Sequence, residues 1–145
     1  MIRTILAIIV GLICGMAVNL LIVIIVSAVW PMSEGVDFND ADGTAAYIAT
    51  LPVLALLLVI LAHLLQAFVG GWVAAALTRN VPMLAALAVG VLSLLAGVYN
   101  MMSMPLPAWM WIEVPLYLIV AWLAGQLVAR RRMRRAAASP QQPPA

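Results

Sequence analysis

Residues 4–30 read TILAIIVGLICGMAVNLLIVIIVSAVW, an apolar run without a single charge. A run of this length is more than the ~20 residues that a helix needs to cross the hydrocarbon layer of a bilayer. In that layer the backbone must satisfy its own hydrogen bonds, which a helix does and an isolated strand does not. Long apolar runs return three times, over residues 52–78, 82–100 and 109–129, the last with Glu113 as its one charge. The sequence therefore predicts an all-α fold, a transmembrane four-helix bundle.

Composition agrees. Of 145 residues, 67% are hydrophobic and 8% charged, and the mean hydropathy is +1.17. Soluble domains carry roughly 25% charged residues, so a water-facing globular enzyme is excluded as a class. A single cysteine, Cys14, excludes a disulfide scaffold. With Arg3 alone before it, the first run has the look of a secretory leader. It is far longer than the roughly 7–15 residues of such an apolar core and lacks a small-x-small cleavage site, so a retained helix is expected.

Breaks in the pattern mark the connections. Pro31 ends the first helix and opens a loop, 31–51, that holds Glu34, Asp37, Asp40 and Asp42 and no base. Asp37 and Asp40, or Asp42 and Thr44, are candidate caps for a short interfacial helix through Tyr47. The Asp40, Asp42, Gly43 fragment is part of an EF-hand pattern, but Phe38 and Ala49 stand where the first ligand and the bidentate Glu belong, so calcium is rejected. Pro82 suits the first turn of the third spanning helix and Pro115 the first turns of the fourth. Residues 130–145, basic and then rich in Ala, Pro and Gln, are expected to form a disordered tail.

Charge sets the orientation. All seven basic residues are arginines: Arg3, Arg79, Arg130, Arg131, Arg132, Arg134 and Arg135. Four passes put every one of them on one side and the loop acids on the other. The positive-inside rule then assigns both termini to the cytoplasm of a bacterial inner membrane. The arginine run fixes topology and is expected to attract anionic lipids; without interleaved aromatics, nucleic-acid binding is not expected.

Helices two and four share an echo, Ala67–Gly71 against Ala121–Gly125, and helices one and three share Val10-Gly11 and Val89-Gly90. A tandem duplication of a two-helix hairpin would produce it, and so would the general sameness of apolar helices. Small residues recur at fourfold spacing on every helix, among them Gly11, Gly15, Gly70, Gly71, Gly90, Gly97 and Gly125. Such faces admit close helix contact, with another helix of the chain or with another membrane protein.

The residues able to carry chemistry are few: Asn19, His63, Gln66, Asn100, Glu113 and Gln126. Counting inward at 1.5 Å per residue puts Asn19 and His63 both about 16 Å deep, and predicts that they meet. A neutral His63 fixing helix register is the simpler reading; a proton path through His63, Gln66 and Asn19 is the functional one. Glu113 is expected one turn inside the interface, solvated or capping, or else paired with Asn100, Tyr99 or Tyr117. One His and one Cys do not complete a metal sphere, and no cofactor is expected. Met102 and Met104 are weak Cu(I) candidates in a loop where methionine also serves as filler.

Several of these residues form a familiar set. Pro31, Met32, Glu34, Gly35, Asp37 and Phe38 are followed by Tyr47, Ile48, Ala49, Leu51 and Pro52. Ala62-His63, Gly70-Gly71 and Asn100 ahead of Pro105, Pro107 and Trp109 complete it. In these the chain resembles a group of small bacterial four-helix integral membrane proteins. The resemblance implies a cytoplasmic-membrane location and brings no activity with it. With no catalytic triad, phosphate loop or carboxylate pair in the sequence, three functions are open. They are a non-enzymatic accessory subunit or self-associating bundle, a small transporter or channel, and outer-face copper binding.

Overall fold

The structure, a computed structural model, describes residues 2–32 and 40–138. Its elements are α1 (Ile2–Val29), α2 (Ala41–Thr50), α3 (Val53–Leu77), α4 (Pro82–Ser103), a short 3-10 helix (Ala108–Ile112) and α5 (Glu113–Ala138). Four helical spans are long and apolar enough to cross a membrane: α1, α3, α4, and the 3-10 segment together with α5. That is the make-up of a multi-pass membrane protein. Among the described residues the fold is entirely helical.

α3 is the central element. It packs against α1, α4 and α5, whereas α1 rests almost wholly on α3. Glycine makes the approach possible. A Cβ on Gly11 would collide with the Gly70 carbonyl oxygen, and one on Gly15 with that of Gln66. One on Gly90 would strike Ala121, and one on Gly125 would sit 2.9 Å from the Met83 sulfur. All seven glycines singled out in the sequence thus face atoms of their own chain. The two hairpins do not share one register: Gly11 meets Gly70 and Ala74, but Gly90 meets Ala121 and Tyr117, a turn away from the positions that the echo would pair.

Gly70 and Gly71 are adjacent yet differently placed, and they separate packing from propensity. A Cβ at 70 would lie 2.8 Å from the Gly11 oxygen and 3.0 Å from Val89, while at 71 the nearest atom is 3.4 Å away. Gly70→Ala is expected to destabilise by about 1–3 kcal/mol through overpacking. Gly71→Ala, relieved of glycine's helix penalty, should be neutral or stabilising by up to ~1 kcal/mol. Unfolding of the two variants in an SDS titration measures the difference; equal midpoints would refute it.

The ends of the bundle carry opposite charge. Arg132 of α5 donates to the carbonyls of Ala75 (2.8 Å), Ala76 (3.1 Å), Thr78 and Arg79 (2.8 Å), and Arg3 donates to that of Leu77 (3.4 Å). The orphan carbonyls at the C-terminus of α3, where the helix dipole is negative, therefore all meet guanidinium. These contacts place the start of α1, the arginine run of α5 and the α3–α4 turn at one end of the bundle. They also correct the expected start of the tail. The helix continues through the arginines to Ala138 because arginine is a good helix former and Arg132 ties this extension to α3. Residues 139–145 lie outside the described residues.

At the opposite end Asp40 caps α2, its carboxylate accepting from the backbone N–H groups of Asp42 and Gly43, both at 3.2 Å. Tyr47 donates to the Trp30 carbonyl at 2.6 Å and fastens α2 to the end of α1. The loop acids Glu34 and Asp37 lie outside the described residues.

Candidate functional site

The course of the chain ahead of α5 determines the site. The turn after α4 leads into the 3-10 helix, whose Met110 is fully buried with Ile48, Leu56, Ile60 and Met101. Met110 alone carries this segment into the bundle, while Trp109, Trp111 and Ile112 stay exposed along its outside. α5 therefore begins beside the middle of α3: its first residue, Glu113, contacts His63, which is about 15 Å of helix below the start of α3 at Val53.

His63 Nδ1 lies 3.1 Å from Oε2 and 3.2 Å from Oε1 of Glu113. Tyr117, one turn further along α5, donates its hydroxyl to Oε1 at 3.4 Å and stacks its ring on the imidazole, with centroids 6.4 Å apart. Tyr117 fits there because position 97 is glycine: a Cβ at that point would meet the phenolic oxygen. Glu113 is 0% exposed. A buried carboxylate persists only when paired and hydrogen-bonded, and here the imidazole and phenol perform that service.

Two expectations are thereby corrected. Glu113 is neither solvated nor a cap, because the inserted 3-10 segment carries it to the depth of His63. His63 directs Nδ1 to Glu113 and not to Asn19, since a carboxylate is a far stronger partner in apolar surroundings than an amide. Asn19 does lie nearby, on the wall of the same cavity.

That cavity, of about 430 Å³, opens among α1, α2, α3 and α4 at the acidic end. Its walls are mostly apolar, with Val23, Val26, Ile48, Leu51, Leu56 and Val59 contributing, and its polar groups are Asn19, Ser27, Thr44, Tyr47, His63 and Asn100. Thr44 is buried, and among the described residues its hydroxyl has no hydrogen-bond partner. The His63 side chain retains 14% exposure, and among the described residues no hydrogen bond engages its Nε2. In the tautomer that donates Nδ1–H to the carboxylate, Nε2 is left as an acceptor.

Gln66 is outside this group; it faces α1, where its backbone abuts Gly15. The methionines serve different surroundings: Met101 and Met110 fill the core, Met104 lines the cavity and Met102 is exposed. No cluster of three or more His, Cys, Asp or Glu side chains suited to a metal occurs among the described residues. Sequence reasoning overlooked Thr44 as a cavity residue and placed Tyr117 only as one of several partners. Its own i, i+4 relation to Glu113 was the available signal.

The chain matches no protein-family model, no functionally characterised protein and no solved structure.

Proposed function

We propose that this is a small inner-membrane protein, both termini cytoplasmic, that binds an amphipathic molecule at its outer end and links binding to proton movement. The observation that carries the proposal is the composite acid: a carboxylate without exposure of its own, joined to an imidazole that borders a cavity. The pair carries one negative charge as imidazole and carboxylate and none as imidazolium and carboxylate; with Nδ1 on the carboxylate, Nε2 accepts a hydrogen bond in the first arrangement and donates one in the second. A ligand that donates to Nε2 favours the first and releases a proton, whereas one that accepts from it favours the second and takes a proton up.

The cavity describes the ligand. Its volume falls within the roughly 300–1,000 Å³ of small-molecule sites, and apolar walls with few polar groups are their usual make-up. A mainly apolar body bearing one hydroxyl or amine matches the wall residues and the Asn19, Thr44, His63 and Asn100 groups. We favour this reading over an accessory-subunit role because the glycine faces that would recruit another helix are engaged within the chain.

The test is calorimetric titration of the purified protein with a panel of apolar alcohols and amines, from octanol to 1-aminoanthracene. Measurement in buffers of different ionisation enthalpy counts protons exchanged per ligand. At least one member of the panel should bind saturably with proton exchange. His63→Gln should weaken it roughly tenfold, the worth of one hydrogen bond to a group able to carry charge, and abolish the exchange. No saturable binding across the panel, or an unchanged proton count in His63→Gln, would overturn the proposal.

A further inference from the structure

Among the described residues, Thr44 and Ser93 are the buried side chains whose polar atoms have no hydrogen-bond partner, and of these Thr44 alone borders the outer cavity. Thr44 is 4% exposed. Its backbone N–H donates to the Asp40 carbonyl at 3.0 Å, which leaves the hydroxyl to account for. Buried polar groups are nearly always paired, and one left bare costs folding free energy. Thr44, Tyr47 and Ile48 share one face of α2 and all line the cavity, so α2 forms its outer wall. Tyr47 has committed its hydroxyl to the Trp30 carbonyl. Thr44 is thus the uncommitted polar group of that wall, and the cavity is the space from which a partner can reach it.

The inner end of the cavity is polar as well. Gly11 abuts Gly70 and Gly15 abuts Gln66, so one further turn of this antiparallel pair brings Asn19 to the level of His63. Between that level and α2 the walls are Val23, Val59 and Leu56. From His63 to Leu56, which packs with Ile48 of α2, α3 rises roughly 10 Å. Granted that the cavity takes an amphipathic molecule, on which the inference rests, we infer that this ligand is polar at both ends. One end meets Nε2 of His63, the other meets the Thr44 hydroxyl, and an elongated apolar body lies between them. A threonine hydroxyl both donates and accepts, so a hydroxyl on the ligand is its natural counterpart. A molecule polar at one end only would leave either His63 or Thr44 enclosed and unpaired, and a small polar solute has no use for the valines and leucine between them.

The experiment titrates the purified full chain calorimetrically with octanol and with the octanediol that carries a hydroxyl at each end. The diol should bind at least as tightly as octanol, although its second hydroxyl has to leave water. Thr44→Val keeps the shape of the side chain and removes the hydroxyl. It should lower the ratio of diol to octanol affinity roughly tenfold, the fold-change of one lost hydrogen bond. Having no partner to lose, the variant should unfold in SDS at the midpoint of the unmodified protein or above it. A lower midpoint would show the hydroxyl engaged within the fold and would overturn the inference. An unaltered ratio in Thr44→Val, or a diol bound much more weakly than octanol by the unmodified protein, would overturn it while leaving proton-linked binding in place. Saturable binding of neither alcohol would overturn it as well, whereas proton-linked binding falls only if the whole panel fails.

Discussion

His63→Leu is expected to destabilise the protein by about 3–5 kcal/mol, the cost of stripping a buried charge of its partner. Glu113 would then be fully enclosed with only the Tyr117 hydroxyl for company. Glu113→Leu alone should cost less, about 1–3 kcal/mol, because the imidazole it abandons can stay neutral and retains some access to the cavity. Combining the two replacements should restore most of what His63→Leu loses, since similar apolar side chains in place of both ions remove the desolvation problem altogether. A double-mutant cycle by reversible SDS unfolding measures this coupling. If the two losses simply add, the ion pair does not hold α3 to α5. The double variant should fold and yet exchange no protons on ligand binding, which separates the architectural role of the pair from its chemical one.

Arg132→Gln should produce the second large effect, at the other end. The guanidinium closes four carbonyls of the α3 terminus and its turn, and an uncharged amide reaches few of them. A charge-assisted hydrogen bond contributes about 1.5–3 kcal/mol; with water at hand to replace part of the set, a total loss of about 2 kcal/mol is expected. The loss should be local. Amides after Arg132 should exchange faster and trypsin should cut within the arginine run more readily, while the packing of α1 on α3 is undisturbed. Arg132→Lys keeps the charge without the fork and should recover only part of the protection. Protection equal to that of the unmodified protein would show that the extension of α5 holds without this contact.

Much of the fold was legible because its causes are local. Uninterrupted apolar runs define the four long helices, Pro31 and Pro82 mark boundaries, and Asp40 occupies the cap position for α2. Among the described residues, Asp40 and Asp42 also stand at the end opposite Arg3 and Arg132, since that depends only on the number of turns in the chain. The site was harder, because it depends on how deep each helix begins. Counting from an expected helix start at Trp109 placed Glu113 near the surface. The short 3-10 helix buries Met110 and displaces the start of α5 inward, a tertiary effect with no local signature. A physical argument was nonetheless at hand: one carboxylate and one imidazole in otherwise apolar helices have each other as the best available partner. The extension of α5 eluded sequence reasoning for a similar reason, since arginine at a helix end reads as a solvated tail until the carbonyls of another helix are brought beside it.

His63 and Glu113 are 50 residues apart in the chain. A ribosome therefore delivers α1 and α3 to the bilayer while the acid that completes the pair has yet to leave the exit tunnel. Until it arrives, His63 has no carboxylate to meet. The last helix to be synthesised thus brings the partner that completes the centre, and the seam between α3 and α5 is the one that closes last.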